Sequence, residues 1–159
     1  MFRIYRDTRF SKDKSPFKTH TGIQFRHDQG KDAHAPGYYL HIEPGGCFIG
    51  LGTWRPDGKA LSKIRDGLGE NTSGWEMALS FPPFKNRFHL SGESLVRPPR
   101  GFDPQHPFIE DLKRKDFIAI STLADSDVLA PGFLEDFGEA CRAGKPFMSF
   151  LCGTLEVPF

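Results

Sequence analysis

Residues Gly22 to His27 alternate, with Ile23 and Phe25 on one side and Gln24 and Arg26 on the other, the pattern of a half-buried strand. Tyr38 to Glu43 alternates in the same way: Tyr38, Leu40 and Ile42 share one face, and Tyr39, His41 and Glu43 share the other. Pro44-Gly45 then suits the central positions of a type II turn, because proline presets the first φ and glycine accepts a positive one. Cys47 to Trp54 is apolar on both faces and predicts the second arm of an antiparallel hairpin, with Gly50 and Gly52 together on one face. Asp57 is a fitting N-cap for a helix striped by Leu61, Ile64 and Leu68 and ended by Gly69 and Asn71. Ser73 and Glu76 have capping-box spacing for a short helix to Ser80, which Pro82-Pro83 should stop.

Further on, Phe88 to Val96 predicts a short hairpin turning at Ser91-Gly92. Gln105 to Lys113 predicts a short helix, and the β-branched run Asp116 to Thr122 a strand. Phe133, Leu134, Phe137 and Cys141 form a helical stripe that Gly144 and Pro146 should end, before a last apolar segment holding Phe147, Phe150 and Leu151. Strands gather early, helices dominate the end, and there is no regular βαβ alternation. The expected class is α+β: a mostly antiparallel sheet from the first part packed against helices from the middle and C-terminal parts.

Composition narrows this picture. A length of 159 residues suits one domain, 1–159. Sixteen Phe against three Tyr and two Trp predict a phenylalanine-packed core. Three widely spaced cysteines fit neither a disulfide framework nor a zinc knuckle. No run approaches 18 apolar residues and no signal-peptide pattern follows Met1, so a cytoplasmic protein with no membrane partner is expected. The net charge of +1 hides an uneven distribution. Residues 1–115 carry 19 basic and 13 acidic side chains, a net of +6, whereas 116–159 carry 2 and 7, a net of −5. A basic face for a small anionic ligand is one consequence; mutual covering of the two segments is another.

The glycines make neither a dinucleotide fingerprint nor a P-loop, so no cofactor is expected. His41-Ile42-Glu43 matches half of a zinc-deaminase signature, but the chain lacks the Cys-x-x-Cys of the other half. The six histidines show no ligand spacing, so no metal site is expected either. Cys47 with His41 or His20 has no nucleophile signature around it. The shared face of Tyr39, His41 and Glu43 offers a hydrogen-bonded row for acid and base work, though a solvated sheet face carries the same pattern. The basic stretch supplies the strongest signal: Arg6, Arg9, Lys14 and Lys18 suit an anion, with Arg97 and Arg100 on a rigid Pro-Pro-Arg-Gly loop closing the site. Solvated basic edges and bracing Arg–Asp pairs are the structural counterpart. Nucleic-acid binding through this stretch, with Phe10 and Phe17 stacking on bases, is the rival reading, disfavoured by the near-neutral charge. A non-enzymatic interaction module using the acidic end is a third.

The same residues carry a resemblance. The run Arg6 to His20, the run Tyr38 to Gly46 followed by Arg55-Pro56, the loop Arg97 to Phe102 and Lys115-Asp116-Phe117 are similar, in order, to signatures of the domain of unknown function 2461 family. Phe17 stands where the family has Tyr. Members usually also carry a helical segment before the Arg-Asp motif, so the resemblance implies either a start assigned too late or a shortened form, and a shortened form should be less stable or should associate. Association into a homo-oligomer would then cover the sheet. It implies an α+β fold and supplies no activity.

Overall fold

The computed structural model describes residues 17–26 and 35–159. Three antiparallel strands, β1 (Thr21–Phe25), β2 (Gly37–Ile42) and β3 (Phe48–Thr53), are followed by α1 (Gly58–Glu70), α2 (Thr72–Ser80) and α3 (Pro82–Arg87). The chain continues through β4 (His89–Ser91), α4 (Ile109–Leu112), β5 (Phe117–Thr122), α5 (Asp125–Leu129) and α6 (Phe133–Leu155). The five strands pair antiparallel in the order β1-β2-β3-β5-β4. This is the α+β architecture that the pattern predicts.

The β2–β3 hairpin turns where expected: Gly46 N–H donates to the Glu43 carbonyl at 2.8 Å, and Gly45 has φ +72°. Register follows the hydrophobic alternation. Leu40 stands opposite Ile49, and Leu51 opposite Ala119, all buried against helices. Their neighbours Tyr39, His41, Phe48, Gly50, Ile118 and Ile120 point to the opposite face, because successive strand side chains alternate. The core lies between the sheet and the helices. Trp75 is fully buried there, with its ring against Phe117, Phe147 and Phe150, and its indole N–H donates to Asp111 Oδ2 at 2.9 Å. Phe84 stacks on Phe88 and Phe147, so the expected phenylalanine core is present.

Four local expectations are corrected. The cap of α2 is Asn71, whose Oδ1 accepts from Gly74 N–H at 3.0 Å, rather than Ser73. Pro82-Pro83 does not only stop a helix; it opens α3, since proline at the first positions needs no N–H partner. The segment after β4 does not fold back on it. Gly92 takes φ +101°, Ser94 bridges to Arg114, and β4 pairs with β5 instead. Finally, α6 runs straight through Gly144 and Pro146 for 23 residues. An interior proline costs about 3 kcal/mol. Phe147, Met148 and Leu151 lie beyond it, all fully or almost fully buried, and each contributes about 1.5–3 kcal/mol by leaving water. Burial therefore wins. Gly144 helps by letting the helix approach the sheet: a Cβ there would meet Leu51 Cδ2 at 2.5 Å.

The two oppositely charged regions do meet within the fold. Arg87 pairs with Asp136 and Lys63 with Glu156, and Asp125 accepts the Gly45 N–H at 2.9 Å. Among the described residues, no helix is long and apolar enough to cross a membrane.

Candidate functional site

The face of the sheet away from the helices carries a groove of about 620 Å³. Its floor is built by β3 and β5: Phe48, Gly50, Gly52, Ile118 and Ile120. Lys18, His20, Gln24, Tyr39, His41 and Trp54 line it too. The size and the mixture of apolar floor and few polar groups suit a small ligand. Gly52 is obligatory there. Its φ is +114°, and a Cβ would stand 2.0 Å from the Phe117 carbonyl oxygen. At Gly50 a Cβ would meet only ordinary contacts, 3.6 Å from Phe48 and 3.8 Å from Tyr39, so the missing side chain opens space in the groove.

Tyr39, His41 and Glu43 do form a hydrogen-bonded row. The Tyr39 hydroxyl is 3.0 Å from His41 Nδ1, and His41 Nε2 is 3.2 Å from Glu43 Oε2. Thr19 Oγ1 donates to Glu43 Oε1 at 2.8 Å. The Thr19 hydroxyl and the His41 bond hold the Glu43 carboxyl below the usual carboxylate range, and burial pushes the Tyr39 phenol up. With Glu43 ionised, His41 Nε2 must carry the proton of that bond. The Nδ1 of a neutral ring then accepts from the Tyr39 hydroxyl. The His41 ring is clamped flat: His20 stacks on it at a centroid distance of 4.8 Å and Phe48 at 4.7 Å. Its side chain is 14% exposed and that of Glu43 38%, so the row runs from the groove towards solvent. An imidazole fixed between a phenol and a carboxylate can take up a proton on one nitrogen and release one from the other.

Of the basic residues singled out in the sequence, Lys18 lines this groove. Arg6, Arg9 and Lys14 lie outside the described residues. Arg97 and Arg100 are not brought to the row. They sit in an exposed loop beyond β4, at the opposite edge of the sheet from β1, and Phe102 of that loop approaches Gly69 at the end of α1. Cys47 is buried and its thiol donates to the Glu43 carbonyl at 3.2 Å.

Sequence reasoning missed Thr19 beside the row and Trp54 in the groove lining, and raised His20 only as a partner for Cys47. Thr19 and His20 close the run Arg6 to His20 that carries the family resemblance, the one available signal. Their position beside His41 depends on the pairing of Gly22 with His41, which no local pattern states. Trp54 is 59% exposed, and the Arg55 guanidinium lies 4.7 Å from its ring centre.

No curated protein and no solved structure matches the chain. The family model described as conserved hypothetical protein (DUF2461) matches residues 1–150, almost the whole length over which the sheet, the groove and the helical layer are built. The chain belongs to the DUF2461 family of conserved hypothetical proteins.

Proposed function

We propose that the groove binds a small molecule that joins an anionic, phosphate-like group to an apolar body, and that the Tyr39–His41–Glu43 row exchanges a proton with it. The observation that carries this reading is one of position: Lys18, the clamped imidazole of His41 and the apolar floor share the lining of a single groove. Lys18 supplies a point charge for the anion, and the floor over Phe48, Ile118 and Ile120 takes the apolar part. Glu43, kept ionised, balances charge on His41 when the ring takes a proton.

The test is thermal unfolding in inorganic phosphate against chloride at equal ionic strength. A ligand at one hundred times its Kd adds about 2.7 kcal/mol. That corresponds to about 5–10 °C in Tm for a chain of this size. The expected result is a rise in phosphate alone, lost in Lys18→Ala and in Gly50→Val, which fills the groove. An equal rise in chloride, or a phosphate effect unchanged in both variants, overturns the proposal.

A further inference from the structure

We infer that His20, His41 and Glu43 form a site for one divalent transition-metal ion, of the kind for which Zn²⁺ is typical, with an unfilled coordination position facing the groove. One donor atom from each of the three lies within 4.8 Å of the other two. The pair His41 Nε2 and Glu43 Oε2 is already 3.2 Å apart. Bonds of about 2.0–2.1 Å in tetrahedral geometry place neighbouring donors about 3.4 Å apart, so only His20 has to draw in. Two imidazoles and one carboxylate suit Zn²⁺ and its first-row neighbours better than Mg²⁺ or Ca²⁺, which take oxygen donors.

The surrounding hydrogen bonds strengthen the inference, because they prepare the donors. Thr19 occupies Glu43 Oε1, while Oε2 and His41 Nε2 face each other across the bond whose proton a divalent ion would displace. The Tyr39 oxygen sits 3.0 Å from His41 Nδ1, where it can accept the Nδ1–H that a ring bound through Nε2 must carry. Phe48 stacks on the His41 ring and fixes its plane, whereas His20 leaves its stack on His41 to bring a nitrogen to the ion. All three donors are half-buried, and His20 and His41 line the groove, so the remaining coordination position is reachable by a small ligand. With three protein donors and a fourth position left to water or substrate, this resembles a catalytic metal centre rather than a closed structural one.

A bound ion takes the place of the His41–Glu43 hydrogen bond, so the metal site and the proton-exchanging row are alternative states of the same residues, and the titration addresses the metal alone. The full chain is stripped with a chelator, dialysed and titrated with Zn²⁺ by calorimetry, and with Co²⁺ by visible absorption. The expected result is one equivalent bound, with Co²⁺ bands of four- or five-coordinate geometry. His20→Ala and Glu43→Ala should abolish that uptake, and Tyr39→Phe should weaken it by about 10–100-fold. Retained uptake in folded His20→Ala and Glu43→Ala, or no saturable uptake in the native chain, overturns it. Should those variants not fold, zinc K-edge absorption of the loaded native chain decides: two imidazole nitrogens and a carboxylate oxygen support the site, and any other donor set refutes it. The phosphate response is measured separately in chelator, so failure of the metal site and failure of the ligand groove are distinguishable.

Discussion

Replacing Asp116 by Ala should be among the most damaging single changes at the edge of the groove. The residue is 4% exposed, and its carboxylate accepts two backbone N–H groups: Arg55 at 2.8 Å through Oδ1 and Glu93 at 2.9 Å through Oδ2. Those bonds tie the end of β3 to the end of β4 across β5. They also hold Arg55 at φ +49°, a left-handed conformation that favours residues without a side chain and is retained only where the surroundings impose it. Hydrogen bonds to charged groups contribute about 1.5–3 kcal/mol each, and the alanine variant leaves both donors without this partner. Some of that is recovered by no longer burying a charge. The expected loss is about 3–5 kcal/mol, read as a lower urea midpoint at unchanged slope. Asp116→Asn keeps one acceptor but turns its amide N–H towards the other donor, so it should lose about half as much. Because Trp54 precedes Arg55, its indole fluorescence should also shift in folded protein. A loss below about 1 kcal/mol in Asp116→Ala would refute this account of the corner.

Pro146→Ala should raise stability by about 1–3 kcal/mol in the same urea assay, since it restores an N–H in the middle of α6; a fall would show that ring packing outweighs the missing bond. Gly52→Ala should cost about 3 kcal/mol or more, because its Cβ falls 2.0 Å from the Phe117 carbonyl oxygen, and circular dichroism with thermal melting would register near-native stability as a refutation. Tyr38 donates to the Cys141 carbonyl at 3.1 Å, so Tyr38→Phe should lose about 1 kcal/mol at neutral pH. Burial raises the Tyr38 phenol above its ordinary value of 10.0, so its stabilising share is complete below pH 10 and declines as pH rises beyond it. The gap between native and Tyr38→Phe stability should accordingly shrink or reverse above pH 10, and a constant gap up to the alkaline transition would contradict that cause.

Strand periodicity made β2, β3 and their turn legible, because each depends on neighbours two residues apart and on a local Pro-Gly conformation. The N-cap at Asp57 was legible for the same reason: its carboxylate accepts from Ala60 N–H, three residues on. The course of α6 was not, since local chemistry at Gly144 and Pro146 argues for a stop and only the tertiary burial of Phe147, Met148 and Leu151 overrides it. The Phe88–Val96 hairpin failed similarly: its second half pairs with the segment before β5, Leu95 N–H donating to the Lys113 carbonyl and Lys115 N–H to the Glu93 carbonyl, and Asp116 accepts the Glu93 N–H from 23 residues away. At the candidate site, the alternation of β2 alone puts Tyr39, His41 and Glu43 on one face. The arrival of Thr19 and His20 from just before β1, which pairs with β2, and the placement of the Arg97–Arg100 loop after β4 at the far edge, are consequences of strand order, which periodicity does not encode.

The most direct test of the central claim is a nuclear magnetic resonance titration of the full chain with inorganic phosphate, read at the Trp54 indole and at the His20 and His41 ring protons, with chloride at matched ionic strength as the control. A ligand groove on this face predicts saturable shifts at these positions that share one Kd and are absent in chloride. Shifts that grow linearly without saturation, or that gather on the Arg97–Arg100 loop instead, would contradict it.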